Sequence, residues 1–180
     1  IKSILILNVI FFSSICYGEK LTIDELYRKN SLYYKKSNDA LFSGIISGKI
    51  NSKFESGKQE GDWVEYYDNK RIKLKGQNIN GFQEGIWIWY HKNGKKYREG
   101  FFKNGLQEGK WSEYQSDGIL LFQQYFNKDK KDGEWSSYYK NGQLFLKGKY
   151  KEDKEDGEWI WYFKNGKVKM KKYYKAGREI

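Results

Sequence analysis

From Lys58 to the C-terminus the chain is a succession of short runs in which aromatic and aliphatic residues alternate with polar ones, each run ended by turn-forming residues. Alternation with a period of two is the pattern of β-strands that bury one face. The runs recur every 24 residues: Gly61, Gly85, Gly109, Gly133 and Gly157 mark the period. Two residues after each glycine comes a tryptophan (Trp63, Trp87, Trp111, Trp135 and Trp159), and three further on a tyrosine (Tyr66, Tyr90, Tyr114, Tyr138 and Tyr162). A turn pair closes each first run: Asn69-Lys70, Asn93-Gly94, Asp117-Gly118, Asn141-Gly142 and Asn165-Gly166. Asn-Gly or Asp-Gly between apolar runs predicts a two-residue hairpin of type I′, whose two central residues both take positive φ. A turn placed there sets each tryptophan opposite Gly76, Gly100, Gln124, Gly148 or Lys172, and each lead glycine opposite Asn78, Phe102, Phe126, Tyr150 or Tyr174. An aromatic ring lying over a cross-strand glycine restores packing the glycine lacks and permits a strong local twist.

The same parity sorts the side chains onto two faces. One carries the tryptophans with Tyr67, His91, Tyr139, Phe163, Ile72, Leu74, Leu120, Phe122, Leu144, Leu146, Val168 and Met170, and is expected to pack. The other carries the tyrosine row with Lys73, Tyr97, Phe101, Leu121, Tyr125, Phe145, Lys147, Lys149, Lys169, Lys171 and Tyr173, a mixture of rings and cations that is expected to be partly wet. Ten strands at the usual spacing of about 4.8 Å make the five units roughly 48 Å long. The fold class is therefore all-β: an elongated, twisted antiparallel sheet of tandem 24-residue hairpin repeats.

Upstream, Leu41-Phe42-Ser43-Gly44 and Phe54 to Gly57 fit the same period as a degenerate opening unit, so the array is set at residues 42–180. Residues 19–41 form a cap and leader. Within them, Glu19 to Lys29 is predicted to be a short helix, with Thr22 and Glu25 as a capping box and Leu21 and Leu26 as its staple, capping the first edge of the sheet. Residues 1–18 have one Lys, an apolar run from Ile4 to Phe12 and then small residues, which is the pattern of a secretory signal peptide cleaved after Gly18; the run is too short to span a bilayer. Export to the periplasm, cell surface or medium follows as an expectation. Cys16, the single cysteine, lies within that segment, and Ile15 before it does not suit lipidation, so no lipid anchor and no disulfide are expected.

Written out in these units, as GIWIWYHKNGKKYREGFFKNGLQEG and GEWIWYFKNGKVKMKKYYKAG, the chain resembles the bacterial MORN-repeat-variant proteins. Their unit reads approximately G-x-W-x-x-Y-[YF]-x-N-G, then G-x-Y-x-[ND]-G-x-x-[ED]-G. The opening LYRKNSLYYKKSNDALFSG resembles the leader that precedes such arrays, so the resemblance runs from about Leu26 to the C-terminus. Lys70 departs from the turn glycine, Gln124 and Lys172 from the mid-unit glycine, and the pairs at Lys128 and Glu152 from the second Asn-Gly. The resemblance implies an interaction scaffold with no catalytic residue. Some members are labelled antitoxin-like, and MORN repeats elsewhere are linked to protein contacts and membrane lipids.

Composition narrows the chemistry. Aromatics at 19% and no proline among 180 residues exclude a disordered polar chain, in spite of a mean hydropathy of -0.92. The net charge is +11, but only Arg28, Arg71, Arg98 and Arg178 supply guanidinium groups, and lysine excess gives diffuse attraction to anions rather than bidentate phosphate recognition. Lys164, Lys167, Lys169, Lys171, Lys172, Lys175 and Arg178 against Glu179 leave +6 on the last strand and tail, where charge blunts an open sheet edge. His91 is the single histidine and is read as a planar filler of the packed face. One histidine and one cysteine exclude a structural zinc site and a Cys-His or Ser-His nucleophile, so neither cofactor, metal nor enzymatic activity is expected. The acidic residues before the lead glycines (Glu60, Glu84, Glu108, Asp132 and Asp156) lie about 9 to 10 Å apart from unit to unit, too far to share a calcium ion, and are read as turn carboxylates paired with lysines.

The candidate binding residues are accordingly Tyr66, Tyr90, Tyr97, Phe101, Tyr138, Tyr162, Lys169 and Lys171. Rings beside ammonium groups suit a protein partner first, with a glycan, an anionic envelope polymer or a lipid surface as the alternative and nucleic acid disfavoured by export. Neutralisation of a partner toxin is a third reading, implied by the resemblance alone. Cross-strand aromatic pairs stabilise any sheet, so the same rings also have a purely structural reading.

Overall fold

The computed structural model describes residues 18–180; Cys16 and all but the last residue of the predicted signal peptide lie outside the described residues. Strand β1 is Glu19–Leu21, followed by a single 3-10 turn at Ile23–Glu25 and the hairpin of β2 (Leu26–Lys29) and β3 (Leu32–Lys35). Then come β4 (Gly44–Ile46), β5 (Ile50–Glu55), β6 (Lys58–Tyr66), β7 (Ile72–Ile79), β8 (Phe82–Tyr90), β9 (Lys96–Lys103), β10 (Leu106–Tyr114) and β11 (Leu120–Asn127). The array continues with β12 (Lys130–Tyr138), β13 (Leu144–Lys151), β14 (Lys154–Glu155), β15 (Gly157–Tyr162), β16 (Val168–Lys175) and β17 (Arg178–Glu179). From β4 to β17 the strands pair in sequence order as one antiparallel sheet, with β14 and β15 both alongside β13; β1 joins it in parallel beside β4, and β2 and β3 form a separate ribbon.

The helix expected over Glu19–Lys29 does not form. Glu25 Oε2 does accept from the Thr22 N–H (2.8 Å) and hydroxyl (2.9 Å), but this closes only the one turn. The flanking residues find better partners in extended form: β1 pairs with β4, and Leu26 is buried in a cluster with Phe42, Ile46 and Phe54. Burial of these apolar groups outweighs the weak helix preference of so short a segment. The edge is thus covered by β1, while the β2–β3 ribbon lies over the tryptophan face, with Tyr33 against Phe54.

The register follows the sequence reading at all ten positions tested. Trp63, Trp87, Trp111, Trp135 and Trp159 pair with Gly76, Gly100, Gln124, Gly148 and Lys172, and the lead glycines with Asn78, Phe102, Phe126, Tyr150 and Tyr174. The turn type does not. At the Asn-Gly positions only the second residue has positive φ (Lys70 63°, Gly94 88°, Gly118 92°, Gly142 81° and Gly166 81°). The Lys70 N–H donates to Tyr67 O and the Tyr67 N–H to Arg71 O, both at 2.8 Å, which closes a three-residue loop ending in a left-handed residue. One residue of each second strand is consequently left over: Glu65 pairs with Leu74 and Tyr66 with Ile72, so Lys73 bulges, as do Tyr97, Leu121, Phe145 and Lys169 in later units. Type I′ geometry appears instead at the turns between units, Asn80-Gly81, Asn104-Gly105, Lys128-Asp129, Glu152-Asp153 and Ala176-Gly177, where both residues have positive φ.

Those inter-unit turns explain the acidic ladder. Glu60, Glu84 and Glu108 accept from the backbone N–H of Asn80 (2.7 Å), Asn104 (2.7 Å) and Lys128 (3.1 Å), and Asp156 from that of Ala176 (3.4 Å). The carboxylates hold the next turn through its backbone rather than pairing with lysines; Asp156 alone of these four also has a lysine, Lys175, at 3.4 Å. The lead glycines have a second role. Where Ser52 pairs with Trp63 and Lys53 with Glu60, Gly61-Asp62 is looped out, and Gly61 takes φ 74°, a conformation that disfavours any other residue.

The tryptophan ring does not lie on its own paired glycine. A Cβ on Gly76 would meet Trp87 at 2.2 Å, one on Gly100 would meet Trp111 at 2.0 Å, and one on Gly148 would meet Trp159 at 2.2 Å. Each of these glycines is therefore the floor for the tryptophan of the following unit, which ties unit to unit. Trp87, Phe102 and Trp111 form the buried centre of the array, with Trp63, Leu74, Trp89 and Phe126 packed around it.

His91 also joins units. Its Nε2 lies 2.9 Å from Tyr114 O, so it carries the proton and donates, as Tyr67 Oη does to Tyr90 O (2.6 Å) and Tyr139 Oη to Tyr162 O (2.7 Å). His91→Phe is expected to lower stability by about 1 kcal/mol, while His91→Tyr restores the bond and stays near wild type; urea melts of both variants check this.

Candidate interaction face

The face opposite the tryptophans is built by cross-strand pairs. Tyr90 pairs with Lys96, Ile88 with Glu99, Ile86 with Phe101, and in the next unit Lys110 with Tyr125. Paired residues share a face, so Lys96, rather than Tyr97, stands with the tyrosines: its Nζ is 5.3 Å from the Tyr114 ring centroid and 2.9 Å from Glu99. Tyr97 packs edge-on against His91 (5.1 Å), Phe145 against Tyr139 (5.1 Å), and the Lys169 ammonium lies 5.8 Å from the Phe163 ring. Of the eight candidates, Tyr97 and Lys169 are thus moved off the tyrosine row by the one-residue bulge, while Phe101 and Lys171 stay with it.

Tyr66, Tyr90, Tyr138 and Tyr162 are half-buried, so they form the floor of the face rather than its exposed part. What projects is Phe101, 38% exposed, beside Ile86, 65% exposed, and Tyr125. A hollow of about 350 Å³ on this face is lined by Ile86, Glu99, Phe101, Lys110, Ser112 and Tyr114. Ile86 was missed from the sequence. The signal was present: at that place in the repeat the other units carry Asp62, Lys110, Glu134 and Glu158, and only this one is apolar.

Several charges on the face are paired. Tyr114 Oη donates to Glu99 (2.7 Å), which also pairs with Lys96; further along, Lys171 (2.8 Å) and Tyr173 Oη (2.8 Å) both reach Glu158. Among the described residues no group of three or more His, Cys, Asp or Glu side chains is placed to hold a metal ion.

Three stretches of the array, 83–104, 131–152 and 155–176, match the MORN repeat variant. Each runs from just before a lead glycine to the inter-unit turn, so the matched segment is one strand, the three-residue loop and the return strand. These three units are MORN repeat variants. The copies at 59–80 and 107–128, which contain Lys70 and Gln124, lie outside the matched stretches yet pair in the same register. MORN repeats are a non-catalytic family associated with contacts to proteins and membrane lipids. No curated protein matches the chain. Among solved structures, the GtfA/B complex bound to UDP and GlcNAc aligns with 84% of this chain and 26% of its own at 11% identity, with a TM-score of 0.21. The chain therefore spans about a quarter of that structure's length, and the overlap assigns no shared fold.

The matched charges set the pH range of the MORN array. Burial pushes the Glu99 carboxyl up, but the hydrogen bonds from Tyr114 and Lys96 outweigh it and hold the group below its usual 4.5. Lys171 and Tyr173 likewise hold Glu158 down, and the Ala176 N–H lowers Asp156. Depressed carboxylates contribute stability that is present above the unfolded pKa and lost as pH falls through the folded one. Burial and the bond to Glu99 raise Tyr114 above 10.0, and Glu158 raises Tyr173, so their contribution is present below that value and lost as pH rises. A melting temperature flat between about pH 5 and 9, falling on both sides, is the expected profile; Glu99→Gln should blunt the acid limb in a calorimetric pH series.

Proposed function

We propose that this chain is an exported, non-enzymatic scaffold that docks a protein partner through the face opposite its tryptophans, with Ile86 and Phe101 as the anchor. The reading rests on one observation: an exposed aliphatic and an exposed aromatic side chain are cross-strand partners, in a hollow whose rim carries Glu99 and Lys110. A central apolar pair with a polar rim is the arrangement that carries most of the energy in protein interfaces. Glu99 and Glu158 lie within the same face and already pair with Lys96 and Lys171, which favours a partner of mixed charge over an anionic lipid or envelope polymer. Export rests on the character of residues 1–18.

The double variant Ile86→Ser/Phe101→Ala tests this. Neither side chain belongs to the buried clusters, so the thermal melt should stay near wild type, while recovery of a crosslinked partner from the native host falls about tenfold. Unchanged recovery would overturn the reading. So would steep salt-dependent binding to anionic vesicles that the double variant leaves intact, because attraction through lysines is screened by salt and contact through Ile86 and Phe101 is not.

A further inference from the structure

On the tryptophan face, four of the five units place an aromatic ring opposite the lead glycine and against one or more tryptophans. Phe102 meets Trp87 and Trp111 edge-on at centroid distances of 6.1 and 5.0 Å, Phe126 meets Trp111 at 5.9 Å, Tyr150 meets Trp135 and Trp159 at 6.1 and 5.1 Å, and Tyr174 meets Trp159 at 6.2 Å. The first unit breaks this ladder. Its corresponding residue is Asn78, and at that point a groove of ≈ 400 Å³ opens between Trp63 and Trp87. Asn78 is only 2% exposed, and its Nδ2 has no hydrogen-bond partner. The groove is also the place where the β2–β3 ribbon crosses the face, contributing Arg28 and Tyr33 to its wall.

We propose that this groove is a saccharide site that takes one pyranose ring in the position the missing aromatic ring would fill. The lining combines aromatic surface with hydrogen-bonding side chains: Trp63 and Phe82, the latter 58% exposed, stand beside Gln59, Glu65, Asn78 and Arg28. A pyranose has C–H faces that pack on aromatic rings and a rim of hydroxyls that both donate and accept, so it meets a carboxylate, an amide and a guanidinium at once. A phenyl ring from a partner protein would fill the volume but leave the buried Asn78 amide without a partner. Asn78 itself is the specificity residue: at the one unit roofed by the ribbon, the repeat exchanges a ring for an amide. The site lies on the face opposite the Ile86–Phe101 patch and stands independently of it.

The test is titration of the ¹⁵N-labelled protein with triacetylchitotriose and with cellotriose, following the Trp63 and Trp87 indole N–H signals. At least one trisaccharide is expected to shift both signals and to saturate below about 10 mM. Asn78→Phe supplies the ring that the other units carry; it should weaken that binding at least about tenfold without lowering the melting temperature. Phe82→Ala, at an exposed position, provides the second readout should Asn78→Phe fail to fold, and is expected to lose severalfold in affinity. Three results would overturn the proposal: no indole shift with either sugar, undiminished binding by the two variants, or displacement of the sugar's effect to tryptophans distant from the groove. Saturable shifts from N-acetylphenylalanine amide in place of either sugar would assign the groove to an aromatic side chain of a partner instead.

Discussion

Gly100→Ala is expected to destabilise the protein by about 3 kcal/mol or more, although it adds a single methyl group to a strand. The reason is steric. The new Cβ would come within 2.0, 2.3 and 2.4 Å of ring atoms of Trp111, a side chain that is 1% exposed and held by Trp89, Phe102 and Phe126. A rigid indole wedged among three rings and under Arg98, whose guanidinium carbon is 4.5 Å from the ring centroid, has nowhere to go. Gly85→Ala gives the control. Its Cβ would meet nothing within 4 Å, but its φ of 72° is strained for alanine, so a loss of about 1 to 2 kcal/mol is expected from backbone alone. The two costs separate in a double-mutant cycle. Trp111→Leu should recover part of the Gly100→Ala loss by withdrawing the ring, and recover nothing of the Gly85→Ala loss; denaturation of the three single and two double variants reads the coupling directly. Equal losses for both alanine variants would refute the account of Gly100 as the floor beneath Trp111.

Trp111→Ala is the second large effect, at about 3 to 5 kcal/mol. Its consequence for cooperativity is more telling than its size. From β5 to β12 each strand in this sheet pairs only with its sequence neighbours, so stability propagates along the array through the contacts between adjacent units, of which Trp111 over Gly100 is the central one. Removal of the indole leaves the N-terminal cluster of Leu26, Phe42, Ile46 and Phe54 intact at one end and Trp159 on Gly148 at the other. Far-ultraviolet circular dichroism in urea should then show two transitions where the parent protein shows one. A single transition shifted to lower urea would mean that the halves remain coupled through the backbone ladder alone.

The turns show how close the sequence comes to the structure and where it departs. Asn93-Gly94 and its equivalents mark the hairpins in the right places, because glycine is favoured where φ turns positive, although Lys70 takes that conformation in the first unit. One residue of the pair, rather than both, takes that conformation, and the extra loop residue shifts the strand by one place beyond Trp89. That single shift exchanges Tyr97 for Lys96 on the candidate face. The helix expected at Glu19–Lys29 failed for a different reason: Thr22 and Glu25 do bond as a capping pair does, but Leu26 is drawn into a cluster whose other members lie 16 to 28 residues away. The acidic ladder was legible as a pattern and misread as chemistry, since its partners are backbone amides 20 residues on, and backbone donors leave no mark on composition.

The sequence by itself determined the period, the strand order and the cross-strand register, because these depend on alternation, on glycine spacing and on the local stiffness of turns. Asn78 and Ile86 both break the repeat, but the sequence reading passed over them because one polar or apolar exchange on a strand does not disturb the period. Only the tertiary structure decided which unit each tryptophan covers, which ring positions project from the sheet, and that the ribbon of β2 and β3 folds over the one unit with a missing ring. Those outcomes depend on bulges of one and two residues, which leave the sequence period untouched while rotating whole faces. The two proposed binding surfaces are set by that rotation, and the repeat alone leaves them undetermined.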